Sequence, residues 1–197
     1  MSATKIYVDI ETTGLDPNQG AVALSIAAIC DGDVPHPEFV IDILPTDEQW
    51  AAASPEALAV NGMTLDYLVE NGVDPDVAYA ELNAWLEECG VDDKTLWVGQ
   101  NPEFDHKFLA PHIVVAKPTS YLDNRALYDT LVPAKLPRLK KRSGRWISIA
   151  LRVDPEPDVH TAIEGARVVK RNHDKLVQLG AKQNPRPFPA FQPAMPM

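Results

Sequence analysis

Thiols are scarce in this chain: two cysteines, Cys30 and Cys89, in 197 residues, with no CxxC pair. Two cysteines so placed build no disulfide framework, and they read as buried thiols of a reducing, cytoplasmic setting. Long apolar runs are lacking too. The longest, Ala21 to Cys30, is ten residues and contains Ser25. That is too short to cross a bilayer, so no membrane partner is expected. Residues Met1 to Lys5 lead straight into strand-like sequence, without the apolar core of a secretory signal. Basic residues are outnumbered, 18 against 28 acidic, for a net charge of −10. What is present is a 45% hydrophobic share, enough at this length to close a core and to exclude a wholly disordered chain.

The negative balance is uneven along the chain. Lys135, Arg138, Lys140, Lys141, Arg142 and Arg145 crowd one segment without an acid among them, so that +6 there leaves −16 on the remainder. An acidic body with one basic strip fits either a solvated loop or an edge that contacts phosphates.

Periodicity gives the order of elements. Ile6, Val8 and Ile10 alternate with Tyr7, Asp9 and Glu11, the pattern of a strand with one apolar face. Two further strands are predicted over Ala21 to Cys30 and Phe39 to Leu44. Helices are predicted over Thr46 to Val60, Leu65 to Asn71 and Asp76 to Cys89. Strand Leu96 to Val98, helix Pro102 to Ala110, strand Tyr121 to Asp123 and helix Arg125 to Leu131 follow. Helices Trp146 to Val153 and Val159 to Leu179 complete the order. This is a mixed α/β domain. From Gly180 prolines dominate, and residues 180–197 read as an extended, flexible tail, either a simple disordered end or a peptide for a protein partner.

Three clusters carry chemistry. Asp9 and Glu11 stand at i and i+2, so a strand sends both carboxylates to one side, roughly 7 Å apart at their roots. Such a pair repels unless water or a hard cation lies between. By itself D-x-E also fits an edge strand with two ordinary acids. The second cluster is Asn101-Pro-Glu-Phe-Asp-His-Lys-Phe108, in which Asp105 is either a ligand or a first-turn acid favoured by the helix dipole. The third, His160-Thr-Ala-Ile-Glu-Gly-Ala166, brings a histidine that becomes a candidate general base once aligned acids precede it.

In order and spacing, Val8-Asp-Ile-Glu-Thr-Thr-Gly-Leu15, Asn101-x-x-Phe104-Asp105-x-x-Phe108 and His160-x-Ala162 resemble the three motifs of DEDDh-class 3′–5′ exonucleases. That class includes the proofreading subunit of bacterial DNA polymerase III, exonuclease X and oligoribonuclease. The resemblance implies an α/β fold, a ribonuclease H-like mixed five-stranded sheet with helices on both faces, over residues 1–179. It implies hydrolysis of phosphodiester bonds at the 3′ end of single-stranded DNA or RNA with two divalent cations, Mg²⁺ or Mn²⁺. By the same resemblance Asp9, Glu11 and Asp105 hold metal and His160 takes a proton from the attacking water. Thr12, Thr13, Leu15 and Asn101 are the expected nucleic-acid contacts, with Leu15 against the terminal base and Asn101 fixing the strand. Lys140, Lys141 and Arg142 of the basic strip are expected on phosphates, and Trp146 is either a stacking or a core residue.

One position departs from the pattern. The family places an aspartate five residues after the motif's histidine, and here that residue is Gly165. Three readings are open: Glu164 supplies the ligand from one residue earlier, the metal is held poorly, or the chain is a pseudo-exonuclease that binds nucleic acid or a partner without cutting. Neighbouring helical positions lie about 100° apart, which weighs against Glu164. Asp158 is a further substitute. If the alignment holds, Gly165→Asp should restore a ligand.

Overall fold

The alternating segment becomes β1 (Lys5–Thr12) at the centre of a sheet, and the computed structural model describes residues 4–115, 119–132 and 134–189. Around it lie β2 (Ala23–Cys30), β3 (Glu38–Asp42), β4 (Leu96–Gly99), β5 (Ser120–Asp123) and β6 (Arg186–Pro187), in the order β3-β2-β1-β4-β5-β6. The sheet is mixed: β1 runs antiparallel to β2 and parallel to β4, and β4 runs parallel to β5. The helices are α1 (Asp47–Ala51), α2 (Pro55–Asn61), α3 (Leu65–Asn71), α4 (Pro75–Glu88), α5 (Pro102–Leu109), α6 (Asn124–Leu131), α7 (Gly144–Leu151) and α8 (Ala162–Gln178). Among the described residues no helix is long and apolar enough to cross a membrane.

The two faces of β1 lead to two cores. Ile6, Val8 and Ile10 pack with Trp85, Leu86 and Phe108 of α4 and α5. Tyr7 packs on the other side with Tyr128, Ile147, Ala166 and Val169 of α6, α7 and α8. The expected polar face is therefore covered, because a central strand with helices on both sides has no solvent side. Asp9 and Glu11 share the parity of Tyr7, so they point into the layer beneath α8 rather than into water.

Three other expectations change. The helix expected over Thr46 to Val60 is two, α1 and α2. Ser54 precedes Pro55, whose ring disfavours helical geometry in the residue before it, and Ser54 caps α2 instead. The final helix begins at Ala162, leaving His160 and Thr161 in extended approach to it. The sheet has six strands rather than five. Arg186–Pro187 pairs with β5, and Phe188 stacks on His106 at 3.7 Å and meets Tyr121 and Trp97. Burial of that ring draws residues 186–188 onto the fold. The rest of the tail, with its expected partner site, lies outside the described residues from Ala190 onward.

Candidate active site

Three separate stretches of chain meet at the end of β1. The first contributes Asp9 and Glu11, opposite Ala27 and Ser25 of β2, whose small side chains leave room above them. The second is the turn from β4 into α5. A Cβ at Gly99 would lie 2.9 Å from that of Pro102, so the glycine lets the chain enter α5 directly and bring Asp105 beside β1. The third is the loop between α7 and α8, which supplies Glu156 and His160. Asp9, Glu11, Gln100, Glu156, His160 and Gly165 line a cavity of about 230 Å³.

The acids there are poorly compensated. Glu11 is 8% exposed and Asp105 5%. Burial, then the charges of Glu156 and Asp105, push Glu11 up to about 7. Burial likewise raises Asp105 to about 7, against backbone hydrogen bonds at Asp105 and Ile10 and the charge of Arg125. Asp9 is held well above the usual carboxylate range by burial and by Asp105, Glu11 and Glu156 around it. Glu156 is raised by burial, opposed by His160, whose Nδ1 lies 3.5 Å from Glu156 Oε1. Buried like charges of this kind are costly unless something positive joins them.

The structure thus brings together Asp9, Glu11, Asp105 and His160. It does not bring Glu164 to the cavity. That carboxylate accepts a 2.6 Å hydrogen bond from Arg167, which also binds Glu38, on the outer side of α8. Asp158 is exposed and pairs with Arg145. Gly165 faces Asp9 so closely that a Cβ there would lie 2.0 Å from Asp9 Oδ2 and 2.5 Å from Cγ. A side chain at position 165 therefore enters only if the Asp9 carboxylate turns aside, and Gly165→Asp restores a ligand only on that packing condition. Sequence reasoning missed Glu156. Its signal was a carboxylate four residues before His160, masked by the acid and proline run Asp154-Pro-Glu-Pro-Asp158.

The expected nucleic-acid contacts divide. Thr12 donates to the carbonyl of Gly14 and Thr13 accepts from the amide of Val22, so both hydroxyls build the turn after β1. Leu15 at its tip is 83% exposed, an apolar side chain held in water. Asn101 opens α5 and accepts from Arg125. Arg142 is tied to Asp129, whereas Lys140 and Lys141 project from the loop before α7. Trp146 is 45% exposed and is not a core residue.

Two larger openings adjoin the cavity. An apolar groove of about 530 Å³ is lined by Met63, Tyr67, Val159 and Ile163 and includes Glu11 and His160 in its wall. Asn61 secures its rim by donating to the carbonyl of Thr12 and accepting from Met63. On the other side, Arg125, Arg142 and Arg186 line an opening of about 620 Å³ that shares Gln100 and Ser143 with the acid cavity.

By chemistry the donor set suits a hard divalent cation, since it consists of carboxylate oxygens. Position is another matter. Among the described residues no three acidic, histidine or cysteine side chains converge closely enough to hold a cation as they stand.

The family described as Exonuclease matches residues 6–171. The 3′-5′ DNA exonuclease Cap18 of Escherichia coli is 32% identical over 105 residues, 53% of this chain and 54% of that protein. The match thus spans about half the length of that relative. Zinc-bound E. coli exonuclease I with single-stranded DNA superposes with a TM-score of 0.70 at 19% identity, over 91% of this chain and 41% of that one. Cell-death related nuclease 4 superposes with a TM-score of 0.66 at 15% identity, over 92% and 66%. At these identities the structural matches speak for the fold.

Proposed function

The chain belongs to the exonuclease family, and from that premise we propose that it removes nucleotides from the 3′ end of single-stranded DNA with the help of divalent cations, Mg²⁺ or Mn²⁺. One observation carries the reading: Glu11 and His160 line both the acid cavity and the apolar groove. A terminal nucleoside lying against Met63, Tyr67 and Val159 therefore presents its phosphate to Asp9, Glu11 and Asp105. These three carboxylates would hold the cations, whose Lewis acidity stabilises the entering and leaving oxygens of phosphodiester hydrolysis. His160 takes the proton of the attacking water at Nε2, while Glu156 beside Nδ1 keeps the proton on that nitrogen. Arg125, Arg142 and Arg186 offer contacts to phosphates further along the strand, with Lys140 and Lys141 nearby. Leu15, exposed at the tip of the turn after β1, would offer an apolar contact to a base. Cys30 and Cys89 are free and buried, which suits the cytoplasm.

The test is nucleotide release from end-labelled single-stranded DNA and RNA with Mn²⁺, Mg²⁺ or chelator. Cation-dependent release from the 3′ end of DNA is expected, abolished in Asp9→Asn and reduced about 100-fold or more in His160→Ala. Tight binding of DNA by the wild type with no cleavage under either cation would overturn the reading in favour of a binding module.

A further inference from the structure

The position that carries the family's last aspartate is filled here by Gly165, and the glycine has a steric reason. Residue 165 is buried in α8 and faces β1, and Asp9 leans into the space that any side chain there would need. With no carboxylate at position 165, three acids lie near enough in sequence to be considered in its place. Glu164 is engaged outside by Arg167, and Asp158 is exposed and engaged by Arg145. Glu156 alone of the three lines the cavity, with its side chain 12% exposed.

Resting on the exonuclease reading above, we propose that Glu156 is the fourth carboxylate of the cation site, reaching in from the α7–α8 loop to replace the one absent at Gly165, and that it also positions His160. One observation besides the acid cluster points to a ligand: Gln100 Oε1, in the wall of the same cavity, is buried without a partner. The arrangement reassigns one ligand from a helix to a loop, and the helix in exchange closes on β1 through a glycine.

The experiment is Mn²⁺ binding to the intact chain, followed by electron paramagnetic resonance and by the cation-induced rise in melting temperature. It compares wild type, Glu156→Gln, Glu164→Gln and Asp9→Asn. Glu156→Gln is expected to weaken Mn²⁺ binding about tenfold or more and to remove most of the thermal shift, with Glu164→Gln within twofold of wild type. Glu156→Gln that binds like wild type while Asp9→Asn does not would overturn the assignment and leave the exonuclease reading standing. The assignment also falls if Glu164→Gln is the variant that fails to bind. Wild type without Mn²⁺ binding would overturn both. The positioning role has its own readout: Glu156→Gln should change the pH profile of the residual activity, and an unchanged profile would remove that part.

Discussion

Gly165 sets the clearest contrast between local propensity and packing. A helix interior favours alanine over glycine by about 1 kcal/mol, yet a Cβ at this position meets Asp9 Oδ2 and Cγ well inside van der Waals contact. Overpacking of this kind costs about 1–3 kcal/mol, so Gly165→Ala is expected to lower stability in denaturant titrations, against its helix preference. In the Asp9→Ala background the penalty should largely vanish. A second residue, His173, is buried beneath the sheet with Tyr7 at its edge, and its Nδ1 donates to Asn124 Oδ1 at 3.2 Å. Burial pushes its pKa from 6.5 down to about 4. Below pH 6.5 the unfolded chain takes up a proton that the folded chain refuses. Its contribution to stability is therefore intact above that pH and falls away toward pH 4, by about 3 kcal/mol at most. Compared with wild type, His173→Gln should lose less stability over this window, as read from melting temperatures at successive pH values.

At the scale of elements, the basic strip is a loop joining α6 to α7, and its charges do not act alike. Lys135 is bound to the carbonyl of Leu179, and Arg142 and Arg145 are paired with Asp129 and Asp158. A phosphate must compete with those carboxylates, whereas Lys140 and Lys141 have no such partner to leave among the described residues. Lys140→Ala with Lys141→Ala should therefore weaken binding to single-stranded DNA of any sequence. It should also flatten the salt dependence by about 0.7 in log–log slope for each phosphate no longer neutralised. Titrations at several salt concentrations decide this, and an unchanged slope would return the strip to a solvated loop.

Over the whole molecule, the acids at the end of β1 make the fold sensitive to cations and to pH together. Glu11 rises from 4.5 to about 7 on folding. Without a cation, stability should then fall as pH climbs through that range, because the unfolded chain gives up its proton first, at a cost of about 3 kcal/mol from this group. Mn²⁺ relieves the repulsion, so it should raise the melting temperature more at pH 8 than at pH 5. Residues 186–188 tie the end of the described chain to the sheet through Phe188. Phe188→Ala should cost about 1–3 kcal/mol, less than for a fully enclosed ring, and equilibrium unfolding would measure it.

Alternation and helical spacing found β1 and its acids, the α5 aspartate and the long last helix, because local periodicity marks the apolar side of an element, but they did not show that the polar side of β1 is covered as well. The family resemblance needed little more than β1, α5 and the approach to α8. What the chain could not show locally was distance across the fold. Glu164 follows directly on the motif in sequence, but helical rotation carries it outward to Arg167. Glu156 stands in an irregular loop with no periodicity to mark it, and only the packing of α7 against α8 delivers it to β1. The same holds for Gly165, where a weak helix former is explained by an Asp9 more than 150 positions away. Likewise the Pro-rich stretch reads as open chain until Phe188 finds Trp97, His106 and Tyr121 beneath it. What each element prefers to bury is set by its own residues. Which side chains meet in the cavity depends on close contacts between segments far apart in the chain, and those are set when the two cores close on the sheet.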